Sequence, residues 1–190
     1  MDFFIFLGGI FIIFSFLGWI VENIYCYYKL RRFQNDGFLN GPYKPMYGFA
    51  FTLLILLDRF AHRHLILLLI ICLLIPTFIE YITGHILKSF YNKMYWDYSD
   101  EPLNFKGLVC LKFSVYWMAL SLMCIYIMEP FISKLFFISK SILPVIVPFM
   151  LLIILMDFFI VLYVKLKQKN YISDSSYLNV LSRFKIIKKK

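Results

Sequence analysis

From Leu65 to Ile79 the chain carries no charged side chain, and the apolar run then continues through Glu80 to about Lys88. As a helix this stretch is about 36 Å long at 1.5 Å per residue, enough to cross a hydrocarbon core of roughly 30 Å. Several other segments resemble it, and a soluble domain of this size could not bury them all. Overall 62% of the residues are hydrophobic, with a mean hydropathy of +0.77. The bilayer is therefore the solvent for most of the chain, and backbone polar groups inside it must be satisfied by helices. The expected fold is all-α, a polytopic membrane helix bundle of about five transmembrane helices. Residues 1–165 form that bundle and residues 166–190 a basic cytoplasmic tail.

The first span covers about Phe3 to Tyr28. Asp2 is the only charge before it and no small-residue cleavage pattern follows, so it reads as a retained span and not a removed signal peptide. Tyr25, Tyr27 and Tyr28 followed by Lys29, Arg31 and Arg32 mark its inner interface. The second segment, Met46 to Leu57, is about 18 Å long as a helix. It is either re-entrant or completed as a span by Tyr43 and Phe60. The third is Leu65 to Lys88, with Pro76 a candidate kink. The fourth runs from Leu108 to about Met128 and is closed by Pro130, with Ser114, Trp117 and Ser121 on one less apolar stripe. The fifth, Ile142 to Val164, has Pro144 and Pro148 in its first turns and Asp157 in its second half. In the tail, Asp174 or Ser175 can cap a surface helix whose apolar edge is Leu178, Leu181, Phe184 and Ile187.

Formal charge is +9, and eight of the 20 basic residues lie from Lys165 onward. With five spans and the amino terminus outside, the inner side holds those eight together with Lys29, Arg31, Arg32, Lys44, Lys88, Lys93 and Lys106. Only Arg59, Arg63, Lys134 and Lys140 fall outside, with Lys112 left out of both tallies. A re-entrant second segment would even out this asymmetry, so the positive-inside rule favours five spans, an outer amino terminus and a cytoplasmic carboxyl terminus in a cell membrane. The tail charge suits anionic lipid headgroups and comes with no nucleic-acid-binding motif, so nucleic acid is not an expected partner.

Around Gly37, Gly41, Pro42, Pro45 and Gly48 the chain cannot be helical throughout, and Gly41-Pro42 with Pro45 set a tight, extended turn. On the five-span topology Glu22 and Glu80 lie at similar depth, about two turns from the inner interface. That turn, the Trp96-Asp97 loop, Ser114 and Trp117 share their side. The candidate polar pocket is thus Glu22, Glu80, Asp97, Ser114, Trp117, Trp19, Asn40 and Tyr47. An acid in a span costs roughly 2.5–3.5 kcal/mol at its centre and normally faces the bundle interior. Two readings stay open. The acids either lock helices by pairing with Lys112, His85 or backbone donors, or line a pocket in which one of them holds a proton. Asp157 fits either role.

No phosphate loop, nucleophile elbow or H-E-x-x-H motif is present. The chain alone therefore does not hydrolyse ATP in the usual way, and no catalytic residue, cofactor or metal is assigned. His62-x-His64 in a short charged connection reads as solvated. Cys26, Cys72, Cys110 and Cys124 form no C-x-x-C pair and read as small buried hydrophobes.

Several motifs occur together: Gly18-Trp19 with Glu22, Gly37-Phe38-Leu39-x-Gly41-Pro42 through Pro45-Met46-Tyr47-Gly48, and Glu80-Tyr81-x-Thr83-Gly84. After them come Trp96-Asp97-Tyr98-Ser99, Asn104-x-x-Gly107 and Phe113-Ser114-x-x-Trp117. In this order, over roughly residues 15 to 125, they resemble the bacterial integral membrane family labelled Putative ABC-transporter type IV (CmpB-like). Met118 departs from the resemblance, where a small residue, commonly Gly, is expected. The resemblance implies a transporter or permease subunit acting as a homo-oligomer or with a partner such as a separate ATPase. The other readings are a membrane enzyme on lipid-linked substrates, using Glu22, Glu80 and Asp97 at headgroup level, and a regulatory membrane partner.

Overall fold

The computed structural model describes residues 3–31, 37–61, 64–91 and 94–187, with side chains for 3–28, 31, 37–61, 64–90 and 94–167. Six α-helices are joined by two irregular stretches and one short hairpin: α1 Phe3–Leu30, α2 Pro45–Ala61, α3 Leu65–Tyr91, α4 Leu111–Met123, α5 Glu129–Ile138 and α6 Leu143–Ile187. A π-helical turn, Cys124–Met128, fuses α4 to α5. The membrane-length helices are α1, α3, the fused α4–α5 rod and α6. With 17 residues α2 is the shortest of the five bundle segments.

Side-chain contacts give the helix directions. Tyr47 lies against Gly18, Phe51 against Phe14 at 4.7 Å, and Arg59 over the Phe3 ring at 5.5 Å, so α2 runs antiparallel to α1. Val147 and Leu151 flank Gly8, while Asp157 bonds the turn beside the second half of α1, so α6 runs parallel to α1. The bundle therefore has two ends, one holding the start of α1 and the other the end of α3. The core between them is Ile10, Phe14, Phe51, Leu54, Leu68, Cys72, Trp117, Cys124 and Phe136. Two small residues set the α1–α2 spacing. A Cβ on Gly18 would stand 2.2 Å from Cγ of Tyr47, and one on Gly48 2.3 Å from Oγ of Ser15, a close approach typical of packed membrane helices.

Four sequence expectations are corrected. The second segment extends past Leu57 to Ala61, because Asp58 and Arg59 end the apolar run but not the helix. Gly48 lies inside that helix and not in the turn, with Pro45 as its first residue, where a missing N–H costs nothing. Pro130 does not close the fourth span. The Glu129 N–H reaches back to the Cys124 carbonyl, the π turn absorbs the proline at the start of α5, and the rod continues to Ile138. The tail starts no new helix at Asp174 or Ser175, since no Gly or Pro interrupts α6 between Lys165 and Ile187. The tail's apolar edge and basic side chains, and His62 of the H-x-H pair, lie outside the described residues. All four cysteines are free.

Candidate functional site

Neither irregular stretch hangs off the bundle; both fold back into it. After α1 the chain returns so that the Lys44 N–H donates to the Ser15 carbonyl at 2.8 Å, half-way along that helix. Backbone at this depth is tolerated only when protein satisfies it, and here protein does. The Gly41 N–H and the Asn40 amide donate to the two carboxylate oxygens of Asp157 on α6, at 2.9 and 3.0 Å. Tyr43 N–H bonds Gly41 O at 2.8 Å across the turn. Lys44 then points its ammonium to Glu22 at 2.9 Å, with 14% and 24% of the two side chains exposed.

The stretch between α3 and α4 is held just as closely. Strands β1 (Asn104–Phe105) and β2 (Val109–Cys110) pair antiparallel. Lys106 and Gly107 between them both have positive φ, 56° and 70°, and the Leu108 N–H bonds Phe105 O at 3.1 Å, as in a type I′ turn. Asp97 accepts both the N–H and the hydroxyl of Ser99, at 2.9 and 2.6 Å, which hold its carboxyl below the usual carboxylate range. Asn104 donates to Ser99 O and Glu101 O and accepts from Gly107 N–H. Trp96 donates its indole N–H to Leu108 O at 2.8 Å. Gly84 gives this loop room on α3, because a Cβ there would stand 3.0 Å from the Trp96 ring and 3.1 Å from Leu108.

The product of this network is the placement of Tyr98. Its hydroxyl donates to Oε1 of Glu80 at 3.0 Å, and its ring stacks on Phe113 at 4.5 Å. Burial and the neighbouring Glu80 push the Tyr98 hydroxyl pKa up, so it stays a neutral donor. Glu80 is 3% exposed, and its Oε2 has no hydrogen bond of ordinary geometry among the described residues. Trp117 lies beside this carboxylate and packs on Tyr47 at 4.7 Å. Tyr47 is within electrostatic reach of both Glu22 and Glu80. The packed pair Tyr47 and Trp117, from α2 and α4, thus lies near both acids.

Of the eight residues singled out from sequence, Glu22, Glu80, Tyr47 and Trp117 come together. The other four are engaged elsewhere. Asp97 is exposed and ties its own loop, Ser114 donates to Cys110 O one turn back, Trp19 stacks along Phe16, and Asn40 serves Asp157. The proposed ion partners also differ. Lys112 pairs with Glu101 at 2.9 Å, and His85 stacks on Tyr81. Tyr98 and Lys44 are not singled out by the sequence pattern, although both sit inside its motifs. Their signal was position, each one step from a residue that shapes a turn.

Lys165 closes the arrangement from α6. Its ammonium lies over the rings of Phe38 at 4.8 Å and Tyr95 at 5.0 Å and bonds the Tyr95 hydroxyl, so one cation joins both folded-back stretches. A family model described as Putative ABC-transporter type IV matches residues 9–162, which include Glu22, Lys44, Tyr47, Glu80, Tyr98 and Trp117 but not Lys165. No curated protein and no solved structure matches the chain.

Proposed function

The chain belongs to the Putative ABC-transporter type IV family, and from that membership we propose that it is the permease-like membrane subunit of a transport system. Its polar centre is the cluster of Glu22, Lys44, Tyr47, Glu80, Tyr98 and Trp117. The observation that carries this reading is the Glu80 carboxylate, buried in a membrane-length helix, bonded by Tyr98 through one oxygen and approached by the Trp117 indole without a hydrogen bond of ordinary geometry to the other. A carboxylate kept only to lock helices gains by engaging both oxygens, since an unmatched buried polar atom costs about 1–3 kcal/mol. An oxygen left open is available to a proton or to a donor group on a transported molecule. Glu22 is paired with Lys44.

We assign the opening of this centre to the cytoplasmic side, with the amino terminus outside and the carboxyl terminus inside, on the strength of the positive-inside asymmetry. The family description supports a separate ATPase as the energy source, with an ion gradient the other reading. Association with that subunit, or with a second copy, completes the pathway. The basic tail beyond residue 165 meets anionic headgroups on the same side.

The test is Glu80→Gln in a strain that depends on the chain. The substitution keeps the shape and the Tyr98 contact but removes proton exchange. Complementation is expected to be lost with membrane levels unchanged, together with ATP-dependent solute uptake into everted vesicles. Full complementation by Glu80→Gln would remove the cluster from function. Lost complementation with unchanged uptake and an altered lipid fraction would move the reading to an enzyme on lipid-linked substrates.

A further inference from the structure

A serine or threonine inside a helix ordinarily turns its hydroxyl to solvent or donates it to the carbonyl one turn back. Ser114 donates in this way to Cys110 O at 3.1 Å, and Thr77 to Leu73 O at 2.7 Å. Ser15 on α1, Thr52 on α2 and Ser121 on α4 do neither. Their hydroxyl oxygens are buried and have no hydrogen-bond partner among the described residues, and Ser15 and Ser121 are both 0% exposed. Leaving a buried hydroxyl unmatched costs stability, and alanine or valine would fill the same space without that cost.

These hydroxyls share one depth. The helix α2 and the α4–α5 rod run side by side in the same direction: Tyr47 packs on Trp117 at 4.7 Å and Phe51 at 6.1 Å, and Ile55 meets Ile125 further along. Thr52 and Ser121 both fall between those contacts. Ser15 stands against Gly48, one turn before Thr52. Trp117 lies beside Glu80, and Ser121 follows it by four residues, about 6 Å along the helix. A layer of hydroxyls from three helices thus crosses the bundle about one turn beyond Glu80.

On the far side of this layer the bundle opens. At the end opposite the glutamate cluster, α1, α2 and α5 part around a half-open cleft of about 470 Å³. Arg59 and Lys140 line it and are exposed, Asp58 and Glu129 line it and are half-buried, and its buried floor includes Ile55 and Ile125. Ile125 belongs to the π-helical turn, a form that concentrates at functional sites, and lies one turn past Ser121. One apolar turn therefore separates the cleft from the hydroxyls, and one more separates the hydroxyls from Glu80.

We propose that the hydroxyl layer is a proton path joining the cleft to Glu80, an inference that rests on the permease reading in its ion-gradient form. Ser121, Thr52 and Ser15 take in water, and each step of about 6 Å is bridged by one or two molecules at hydrogen-bond spacing. A hydroxyl suits this task because it accepts a proton on its oxygen while giving up its own, and so ends unchanged. The proton from the cleft converts the Glu80 carboxylate to the acid. Glu80 then returns it to the Tyr98 hydroxyl, which passes its own proton to water at the loop, where Tyr98 is half-buried. The titratable groups facing Glu80 among the described residues are Tyr98 from that loop, Tyr47 from α2 and Glu22 from α1, the last paired with Lys44.

The full-length chain is reconstituted into liposomes that hold a pH-sensitive dye, with potassium and valinomycin clamping the voltage, and acid is added outside. Proton entry is expected to exceed that of empty liposomes. The Ser121→Ala, Thr52→Val double variant should slow it by about tenfold, a barrier change of roughly 1.4 kcal/mol, while its Tm in detergent stays the same or rises. Glu80→Gln should abolish it. Thr77→Val, which removes a hydroxyl already bonded to its own helix, should leave it unchanged. Entry no faster than in empty liposomes, entry that survives the double variant or Glu80→Gln, or an equal loss in Thr77→Val would overturn the proposal. The permease reading fails separately: proton entry that needs Glu80 and Ser121, in a chain whose Glu80→Gln variant still complements, keeps the path and removes the transport role.

Discussion

The two ends of the bundle solve the same problem in opposite ways. Both hold charged groups at the edge of a hydrocarbon layer. At the glutamate end the connections fold inward, and their backbone is stitched to side chains: Gly41 to Asp157, Gly107 to Asn104, Leu108 to Trp96. At the cleft end the connections are short and the charges stand on helices, with Ser133–Glu129 a bond within one helix. The comparison teaches why motifs gather at one end. Irregular backbone at membrane depth needs a particular glycine, asparagine or tryptophan at each unsatisfied group. A charged side chain on a helix needs only that helix to be there.

Substitutions at the two ends therefore separate by size. The largest effect is expected from Gly18→Ala, whose Cβ would meet the root of the Tyr47 ring at 2.2 Å. The ring must leave its place beside Glu22 and Glu80, a loss of about 3 kcal/mol, read as a lower melting temperature in detergent. Asp157→Ala comes next. It strands the Asn40 amide and the Gly41 N–H for about 2 kcal/mol, and a cysteine placed at Asn40 should become reactive to a water-soluble thiol reagent. Gly107→Ala puts a Cβ at φ 70° and 2.6 Å from the Ser99 hydroxyl. It should cost about 1 kcal/mol and weaken the Tyr98–Glu80 contact without unfolding the bundle. Glu129→Gln at the other end should change stability by less than about 0.5 kcal/mol. Equal losses at Asp157 and Glu129 would erase the contrast.

The legibility of the sequence follows the same division. Hydropathy located α1, α3 and the membrane part of α6, since each is one long apolar run. It lost the end of α2 at Asp58, because a charge ends an apolar run but not a helix, and it stopped the fourth span at Pro130, because a π turn has no compositional mark. Glu22 and Glu80 were legible through topology as acids at one depth, with Trp117 on their side, while Tyr47 stood out only within the Pro45-Met46-Tyr47-Gly48 motif. Lys44 as the partner of Glu22 was not. The pairing depends on the turn reversing between Leu39 and Pro45, and a reversal cannot be read as a distance along the chain. The cleft was invisible, since Asp58, Arg59, Glu129 and Lys140 belong to three separate stretches with no pattern in common.

The bond between the Gly41 N–H and Asp157 spans 116 residues of sequence. During synthesis, the turn before α2 is made early and its acceptor arrives only with the last span. Until then the Asn40 amide and the Gly41 N–H lack the acceptor that they have in the finished fold. A ribosome that stops short of α6 thus releases a chain flawed at its beginning and not only at its end. The last helix acts as a proofreader of the first loop.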